Sequence, residues 1–330
     1  MAISVNYDSE GVADCVPTFL FDYVEEDKDN PHDACQQWFV CAALGLSVNL
    51  GLHTLLGKGE HPIADGIVNQ QEYLDLPKHF SCSHFDAIDI VQLAIASGAR
   101  YVEFPAKLED GFCLFDTEST DYNSRHSEVK RDLIAEIASV CEYHNIGLCL
   151  TYSLGYDFGK YPATGRPATD GEKAEYDEYC VMQLHELLTN YGPLAAIKFN
   201  GIDGISREQA KDLYKMCRHL QPQILVCCQQ GLLGTEDFYA PGTAMPAEDS
   251  PASVQGYVYK DASKPLELRL DMTPNNRGYH AEFAGKHLRS AQMLEALTQA
   301  RRNQMNLLLN TALLPDGSLD LEDIEELLRK

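Results

Sequence analysis

Polar residues stand at or just beyond the ends of several apolar segments in this sequence, where side chains can take part in chemistry. Asn200 directly follows the apolar segment 195–199. Glu109, Asp203 and Asp271 hold comparable positions at or after other such segments. Carboxyl groups in these places are candidates for acid/base or nucleophilic roles, whereas the neutral amide of Asn200 is a poor nucleophile.

The same residues also have structural interpretations. Asn200 fits a strand-end residue that hydrogen-bonds the next loop, and Asp203 fits a turn residue before a glycine. Glu109 is equally consistent with a loop carboxylate that pairs with Lys107 or Lys198. The residue types alone therefore leave both interpretations open at each position.

Apolar segments typical of β-strands alternate with amphipathic helical patterns along most of the chain. Eight segments fit strands, at 46–50, 101–105, 148–152, 195–199, 224–228, 254–259, 268–272 and 305–310. Helical spacing marks 86–97, 128–144, 206–219 and a last helix from Asp320, and Ser206 with Gln209 forms a capping box. Strands that alternate with helices favour a parallel sheet, so the predicted fold class is α/β, a (β/α)8 barrel of the TIM type.

The chain is predicted to contain a single folded domain. Residues 1–35 are predicted to be an irregular acidic lead-in, because acidic residues dominate the segment before Pro31. Residues 36–330 are predicted to form the barrel, since (β/α)8 barrels reach this length as one unit. Helical patterns weaken between Gln229 and Arg277, where five prolines indicate long loops around short strands.

Composition excludes some classes of partner. The formal net charge of −24 repels phosphate backbones and anionic lipids, so neither nucleic acid nor a membrane is an expected partner. The eleven cysteines include no Cys-x-x-Cys pair, and Cys41, Cys113, Cys149 and Cys227 fit small core residues. Free thiols suit a cytoplasmic location, the first residues lack the features of a secretory signal, and no metal or cofactor is predicted.

Three segments carry a more specific signal. Residues 98–116 read GARYVEFPAKLEDGFCLFD, residues 191–201 read YGPLAAIKFNG, and residues 306–310 read NLLLN shortly before PDGSL. From about Trp38 onward, the chain resembles the catalytic barrel of the α-L-fucosidase family of retaining glycoside hydrolases. The resemblance implies the barrel fold, a carbohydrate ligand and hydrolysis by two carboxyl groups, one attacking the anomeric carbon and one protonating the leaving oxygen. It does not extend to the C-terminal β-sandwich of many family members.

The chain departs from the family pattern at positions that the resemblance places in the sugar pocket. Asn200 stands where the family has its nucleophilic Asp, and Asn49, Leu108 and Glu109 stand where it has His. The candidate catalytic residues are Asn200 at the family's nucleophile position, Glu109 at a family His position, Glu60 at a family Glu position, and Asp203 in the loop after the fourth predicted strand. The candidate substrate-binding residues each lie at a predicted strand end or match a pocket position of the family, and they are Asn49, Lys107, Tyr152, Lys198 and Tyr279. Glu60 matches a family Glu that looks mainly structural.

Two hypotheses follow for function. The first is an α-L-fucosidase-like glycoside hydrolase of altered specificity or mechanism, with Glu109 or Glu60 as acid/base and Asp203 or Asp271 as the second carboxylate. In a variant of this mechanism, a 2-acetamido group of the sugar attacks and Asn200 only orients it. The second hypothesis is a catalytically inactive barrel that binds a saccharide or a protein partner. Oligomeric state does not follow from the sequence.

Overall fold

The structure, a computed structural model, describes residues 16–201, 205–228, 234–242, 264–274 and 278–329, with the backbone of two short strands at 253–254 and 257–258. Its centre is a single sheet of eight parallel strands that curls into a nearly closed barrel with helices around it. The predicted (β/α)8-type barrel is therefore confirmed. Within the residues described, no helix has the length and apolar character needed to cross a membrane.

The barrel strands follow one another around the sheet in an order that returns the chain to its beginning. Their bounds are β1 Leu44–Asn49, β2 Tyr101–Lys107, β3 Gly147–Ser153, β4 Ala196–Asn200, β5 Leu225–Cys228, β6 Tyr239–Gly242, β9 Leu266–Asp271 and β10 Met305–Ala312. Hydrogen bonding gives the order β5-β4-β3-β2-β1-β10-β9-β6. The two edge strands, β5 and β6, approach each other where the Asp237 N–H, just before β6, donates to the carbonyl of Val226 in β5 at 2.8 Å.

Helices cover the outside of the sheet. Their bounds are α1 Val24–Asp29, α2 Pro31–Ala42, α3 Gln70–Leu74, α4 Ala87–Ser97, α5 Leu133–Tyr143, α6 Asp170–Asn190, α7 Arg207–Leu220, α8 Ser290–Arg302 and α9 Leu321–Leu328. The predicted helices correspond to α4, α5, α7 and α9. The capping box of α7 is confirmed, because Ser206 and Gln209 each accept the other's backbone N–H through their side chains.

Alternate residues of each strand face opposite sides of the barrel wall, as the pleat requires. The outer side chains pack against α4, α5, α6 and α9 in one large core, which contains Leu148, Leu150 and Ile197. The inner side chains form a second core with Tyr101, Cys149 and Cys227. Ten described cysteines are free thiols, of which nine are buried. Cys41 is the exception, and its predicted core position is wrong because it lies on the exposed side of α2.

The segment before β1 closes one end of the barrel. Trp38 and Phe39 of α2 are buried in the inner core beside Tyr101, together with Phe19 and Phe238. This position is the N-terminal end of the strands, opposite the end where barrels of this class keep their functional sites. The prediction of irregular structure for 1–35 is therefore wrong for 18–35, which is largely helical because its apolar side chains plug the barrel.

One predicted strand is not part of the barrel. The described part of the segment 254–259 belongs to an antiparallel pair of short strands, β7 Ser253–Val254 and β8 Tyr257–Val258. The sixth barrel strand is instead β6, which pairs with β9. Three further helices, α3, α6 and α8, were also absent from the prediction. The helix α6 begins at a capping box of Thr169 and Glu172. That residues 36–330 form one domain remains a prediction.

Candidate functional site

Asn200 is the last residue of β4, at the end of the barrel opposite α2. It pairs in register with Ser153 at the end of β3, and it shares the inner face of β4 with Lys198. Beside it is a gap of ≈ 20 Å³, lined by Thr151, Lys198, Asn200, Ala240, Gly242, Glu267, Arg269 and Leu308. Such a gap holds about one water molecule.

The backbone around Asn200 is held by a close approach of two loops. The Leu154 N–H donates to the Asn200 carbonyl at 2.9 Å. A Cβ atom at position 155 would lie 1.6 Å from the carbonyl oxygen of Gly201. Only glycine fits at position 155, because both sides of this contact are backbone, and the end of β4 is thereby fixed against the end of β3.

Lys198 is buried inside the barrel between two carboxylates. Its ammonium pairs with Glu103 of β2 and Glu267 of β9, and none of the three side chains is more than 8% exposed. Glu103 also accepts from Ser47 at 3.0 Å, and Glu267 accepts from Tyr101 at 2.7 Å. Burial alone would lower the pKa of Lys198, but the two carboxylates raise it above its usual value. This placement does not fit the predicted substrate-binding role of Lys198, because its ammonium is already fully engaged.

Asp271 ends β9 and is similarly engaged. Its Oδ1 atom lies 2.9 Å from Nε of Arg269 and accepts a hydrogen bond of 2.9 Å from the Asn310 amide. Arg269 and Asp271 are only 14% and 10% exposed. A carboxylate neutralised by a guanidinium in this way is a weak nucleophile, so the geometry speaks against Asp271 as the second catalytic carboxylate.

A separate polar group lies at the end of β1. Oδ1 of Asn49 is 2.7 Å from Nε2 of the fully buried His53. Burial lowers the pKa of His53 to about 4, although Glu60 acts in the opposite direction, so the imidazole is neutral at pH 7. Because an amide oxygen only accepts, Nε2 carries the proton and holds the Asn49 amide in one orientation.

Glu109 lies in the same region, beyond the end of β2. Its Oε2 atom is 3.5 Å from Nδ1 of His61, and the two side chains are 33% and 44% exposed. His61 follows Glu60, and the Gly59 N–H donates to the carbonyl of Tyr279 at 3.0 Å. The chain thus brings Asn49, Glu60, Glu109 and Tyr279 to one side of the barrel mouth.

Lys107 and Tyr152 lie elsewhere, on the outer face of the sheet. The ammonium of the fully buried Lys107 is 4.4 Å from the centre of the Tyr152 ring and 5.2 Å from that of Tyr176 on α6. It is also 3.5 Å from a carboxylate oxygen of Asp157. A register shift between Pro105 and Lys107 turns the end of β2 outward. Burial of both side chains beneath α6 speaks against the predicted contact of Lys107 and Tyr152 with a saccharide.

Asp110 is a titratable group that the sequence did not single out for chemistry. Burial raises its pKa to about 6, although Tyr73 donates to it at 2.7 Å and the Phe112 N–H at 3.0 Å. Its side chain is buried, and these two hydrogen bonds hold the loop after β2 in place. His53 was missed for another reason, since a lone histidine after an apolar strand has no diagnostic spacing.

Asp203 lies outside the described residues, so its predicted catalytic role is not tested by the geometry above. Among the residues that are described, no group of three or more His, Cys, Asp or Glu side chains is arranged to hold a metal ion.

Comparison with known proteins identifies relatives of the whole barrel. The family model described as "Alpha-L-fucosidase" matches residues 22–329. The chain is 32% identical to α-L-fucosidase 1 of Arabidopsis thaliana over 165 residues, which are 47% of this chain and 30% of that protein. It is 24% identical to an α-L-fucosidase of Dictyostelium discoideum over 181 residues, 47% of this chain and 39% of that protein. The chain thus spans well under half of these relatives.

Solved structures of similar fold are also α-L-fucosidases. The enzyme AlfC from Lactobacillus casei, in complex with its α-L-fucose product, superposes with a TM-score of 0.75 at 24% identity and covers 89% of this chain and 96% of its own. Isoenzyme 1 from Paenibacillus thiaminolyticus has a TM-score of 0.76 at 24% identity and covers 90% of this chain and 74% of its own. At this identity the likeness establishes the fold of the barrel.

Proposed function

Since this chain belongs to the α-L-fucosidase family, we propose that it binds a saccharide at the C-terminal end of its barrel and does not hydrolyse α-L-fucosides by the family's covalent mechanism. The proposal rests mainly on Asn200. A retaining glycosidase needs a carboxylate that attacks the anomeric carbon, and the amide of Asn200 occupies the inner end of β4 where that carboxylate would be.

The neighbouring carboxylates support the same conclusion. Glu103 and Glu267 are paired with Lys198, and Asp271 is paired with Arg269. Among the described residues on the inner wall, each of these carboxylates already has a cationic partner. None of them is a ready substitute for the missing nucleophile, because freeing Asp271 would break its pair with the buried Arg269, and freeing Glu103 or Glu267 would break a buried pair with Lys198.

The saccharide is proposed to lie against the polar group at the ends of β1 and β2. Asn49 has its amide held by His53 at 2.7 Å, so its NH2 group is oriented to donate to a hydroxyl. Glu109 and His61 are partly exposed there, and Tyr279 lies in the adjoining loop. Sugar hydroxyls are bound through such oriented donors and acceptors. A cytoplasmic setting is proposed on the free thiols alone.

Hydrolysis of a different saccharide is the second candidate, and Glu109 is the observation that favours it. Its carboxylate is 33% exposed, and among the described residues its ion pair is with His61, so it remains available as an acid/base. Asn200 would then orient a 2-acetamido group that attacks in place of a protein carboxylate.

A panel of 4-nitrophenyl glycosides, with α-L-fucoside and N-acetyl-β-glucosaminide as members, separates the two candidates. Saccharide binding should be measured on the same protein by calorimetry with L-fucose and N-acetylglucosamine. We expect saturable binding and turnover of the fucoside far below the ~1–1000 per second of ordinary enzymes.

Four variants make the result interpretable. Asn49→Ala should weaken binding by about tenfold, the effect of losing a hydrogen bond that leaves its partner unpaired. Glu109→Gln tests the acid/base, and Glu118→Gln, at an exposed position outside the site, is its control. Turnover near 1 per second that is abolished by Glu109→Gln or by Asp203→Asn would overturn the binding proposal in favour of hydrolysis. No saturable binding to any sugar would overturn both.

A further inference from the structure

A cavity of ≈ 250 Å³ lies between α6 and α7, outside the barrel wall, and plays no part in the function proposed above. Its lining comes from α6, α7 and the loops that follow β3 and precede the two helices, and includes Tyr176, Cys180, Val181, Leu213 and Met216. The cavity lies near the C-terminal ends of β3 and β4, which is the end of the barrel where ligand sites occur.

The inner part of this α6–α7 cavity is apolar. Tyr176, Cys180 and Met216 are buried at its base, and Val181 and Leu213 form its two walls. These residues follow helical spacing on α6 and α7, so each helix contributes one continuous stripe. A cavity of ~150 Å³ with an apolar lining is already sufficient to bind benzene, so this one has room for one or two fused rings.

The rim of the cavity is polar, and its two cations, Arg166 and Lys173, are matched in number by Asp177 and Asp212. Lys173 is 3.2 Å from Asp177, which also accepts from the Gln209 amide at 3.1 Å. Lys215 donates to Asp212 at 3.4 Å. A charged ligand would compete with these pairs and lose part of its hydration, whereas a neutral ligand would leave them intact.

The sulfur atoms at the base of the cavity favour an aromatic ligand. Met216 and Cys180 come from different helices and both face the cavity, and sulfur makes favourable contacts with aromatic rings. Tyr176 supplies an aromatic ring on the same wall. From the volume, the apolar base, the sulfurs and the balanced rim, we propose that this cavity binds a small neutral aromatic molecule of one or two rings.

Indole is the appropriate probe, with indole-3-acetate and tryptamine as charged analogues of nearly the same shape. Binding to the full chain should be followed through the methyl signals of 13C-labelled methionine. Met216 lines the cavity, whereas Met182 on α6 is 50% exposed and does not line it. We expect indole to shift the Met216 signal, and not the Met182 signal, with a dissociation constant of roughly 1 mM or below.

A pair of adjacent substitutions on α6 tests the location. Val181→Phe places a ring in the cavity and should weaken indole binding by about tenfold or more. Met182→Phe adds the same ring on the exposed side of the helix and should leave the affinity within about twofold. Leu213→Phe, on the facing wall, repeats the test from α7 if Val181→Phe does not fold.

The charged analogues should bind at least about tenfold more weakly than indole. The proposal is overturned if the Met216 signal shows no saturable shift with indole. It is also overturned if Val181→Phe, or Leu213→Phe in its place, binds indole as well as Met182→Phe does, or if the two charged analogues bind as tightly as indole. Because the readout uses no sugar, it is independent of the saccharide proposal.

Discussion

Replacement of Lys198 by methionine should destabilise the barrel strongly without changing its volume much. Lys198 is the cation that holds Glu103 and Glu267 inside the barrel, where these carboxylates are only 3% and 2% exposed. Methionine keeps the unbranched shape but removes the charge. The two carboxyls are then left facing an apolar side chain, with Ser47 donating to Glu103 and Tyr101 donating to Glu267.

The size of the effect follows from this burial. Removing one partner of a buried ion pair typically costs about 3–5 kcal/mol, because the other charge stays buried and uncompensated. The entropy of unfolding of a 330-residue chain is roughly 0.7 kcal/mol per kelvin near the midpoint. The melting temperature of Lys198→Met should therefore fall by about 4–7 °C.

Calorimetric or circular-dichroism melting at pH 5 and pH 8 is the assay. Burial raises the pKa of Glu267 already in the wild type, and loss of Lys198 raises it further. A carboxyl whose pKa is higher in the folded than in the unfolded state lowers the free energy of unfolding as pH rises above its unfolded pKa. The loss of stability in Lys198→Met should therefore be larger at pH 8 than at pH 5.

Two further variants serve as controls. Lys198→Met combined with Glu103→Gln and Glu267→Gln should recover most of the loss, since neutral amides still accept from Ser47 and Tyr101. Lys78→Met removes an exposed pair with Asp75 and should change stability by less than about 0.5 kcal/mol. The reasoning is refuted if Lys198→Met melts within about 1 °C of Lys78→Met, or if the triple variant is no more stable than the single one.

Three other predictions concern the site and its backbone. Asn200→Asp should not restore hydrolysis of 4-nitrophenyl α-L-fucoside, because a carboxylate gains little when the sugar is held poorly; a fucosyl adduct trapped on the new carboxylate and detected by mass spectrometry would contradict this. Gly155→Ala should lower the free energy of unfolding in urea by several kcal/mol, because its Cβ would meet the Gly201 carbonyl. Gly171→Ala in α6 should be neutral or stabilising, because its Cβ would have no neighbouring atom closer than 4.0 Å. Burial lowers the pKa of His53 to about 4, so as pH falls the imidazole is protonated in the unfolded chain before it is protonated in the folded one. The free energy of unfolding should therefore fall by about 3 kcal/mol as pH drops from 6.5 to 4. In His53→Gln the free energy of unfolding should depend correspondingly less on pH.

Most barrel strands could be predicted from sequence because they are buried on both faces. Segments such as β3 and β4 are short apolar runs bounded by polar residues and glycine, which is typical of parallel strands. The strand β6 was missed because it has only four residues and contains Pro241, so it resembles a loop. The helix α6 was missed because its residues are mostly polar, although its capping box at Thr169 was visible in the sequence.

The candidate site was predictable only in part. Its position at strand ends, including Asn200, followed from the pattern of strands and from the family resemblance. The inward or outward direction of Lys107 was not predictable, because the register shift after Pro105 depends on how β2 pairs with β3. Without that shift, a period of two would have placed Lys107 on the inner face with Glu103.

The sequence by itself determined the class of fold and, through the family resemblance, the expectation that Asn200 and Asn49 stand where the family has a nucleophile and a histidine. The tertiary structure decided which charges compensate one another. Glu103, Lys198 and Glu267 lie on three different strands that are far apart in the chain, and only closure of the barrel brings them together. Ionic interactions depend on distance and burial, and neither quantity is encoded in the local pattern of residues, so the engagement of Lys198 and Asp271 became visible only in three dimensions.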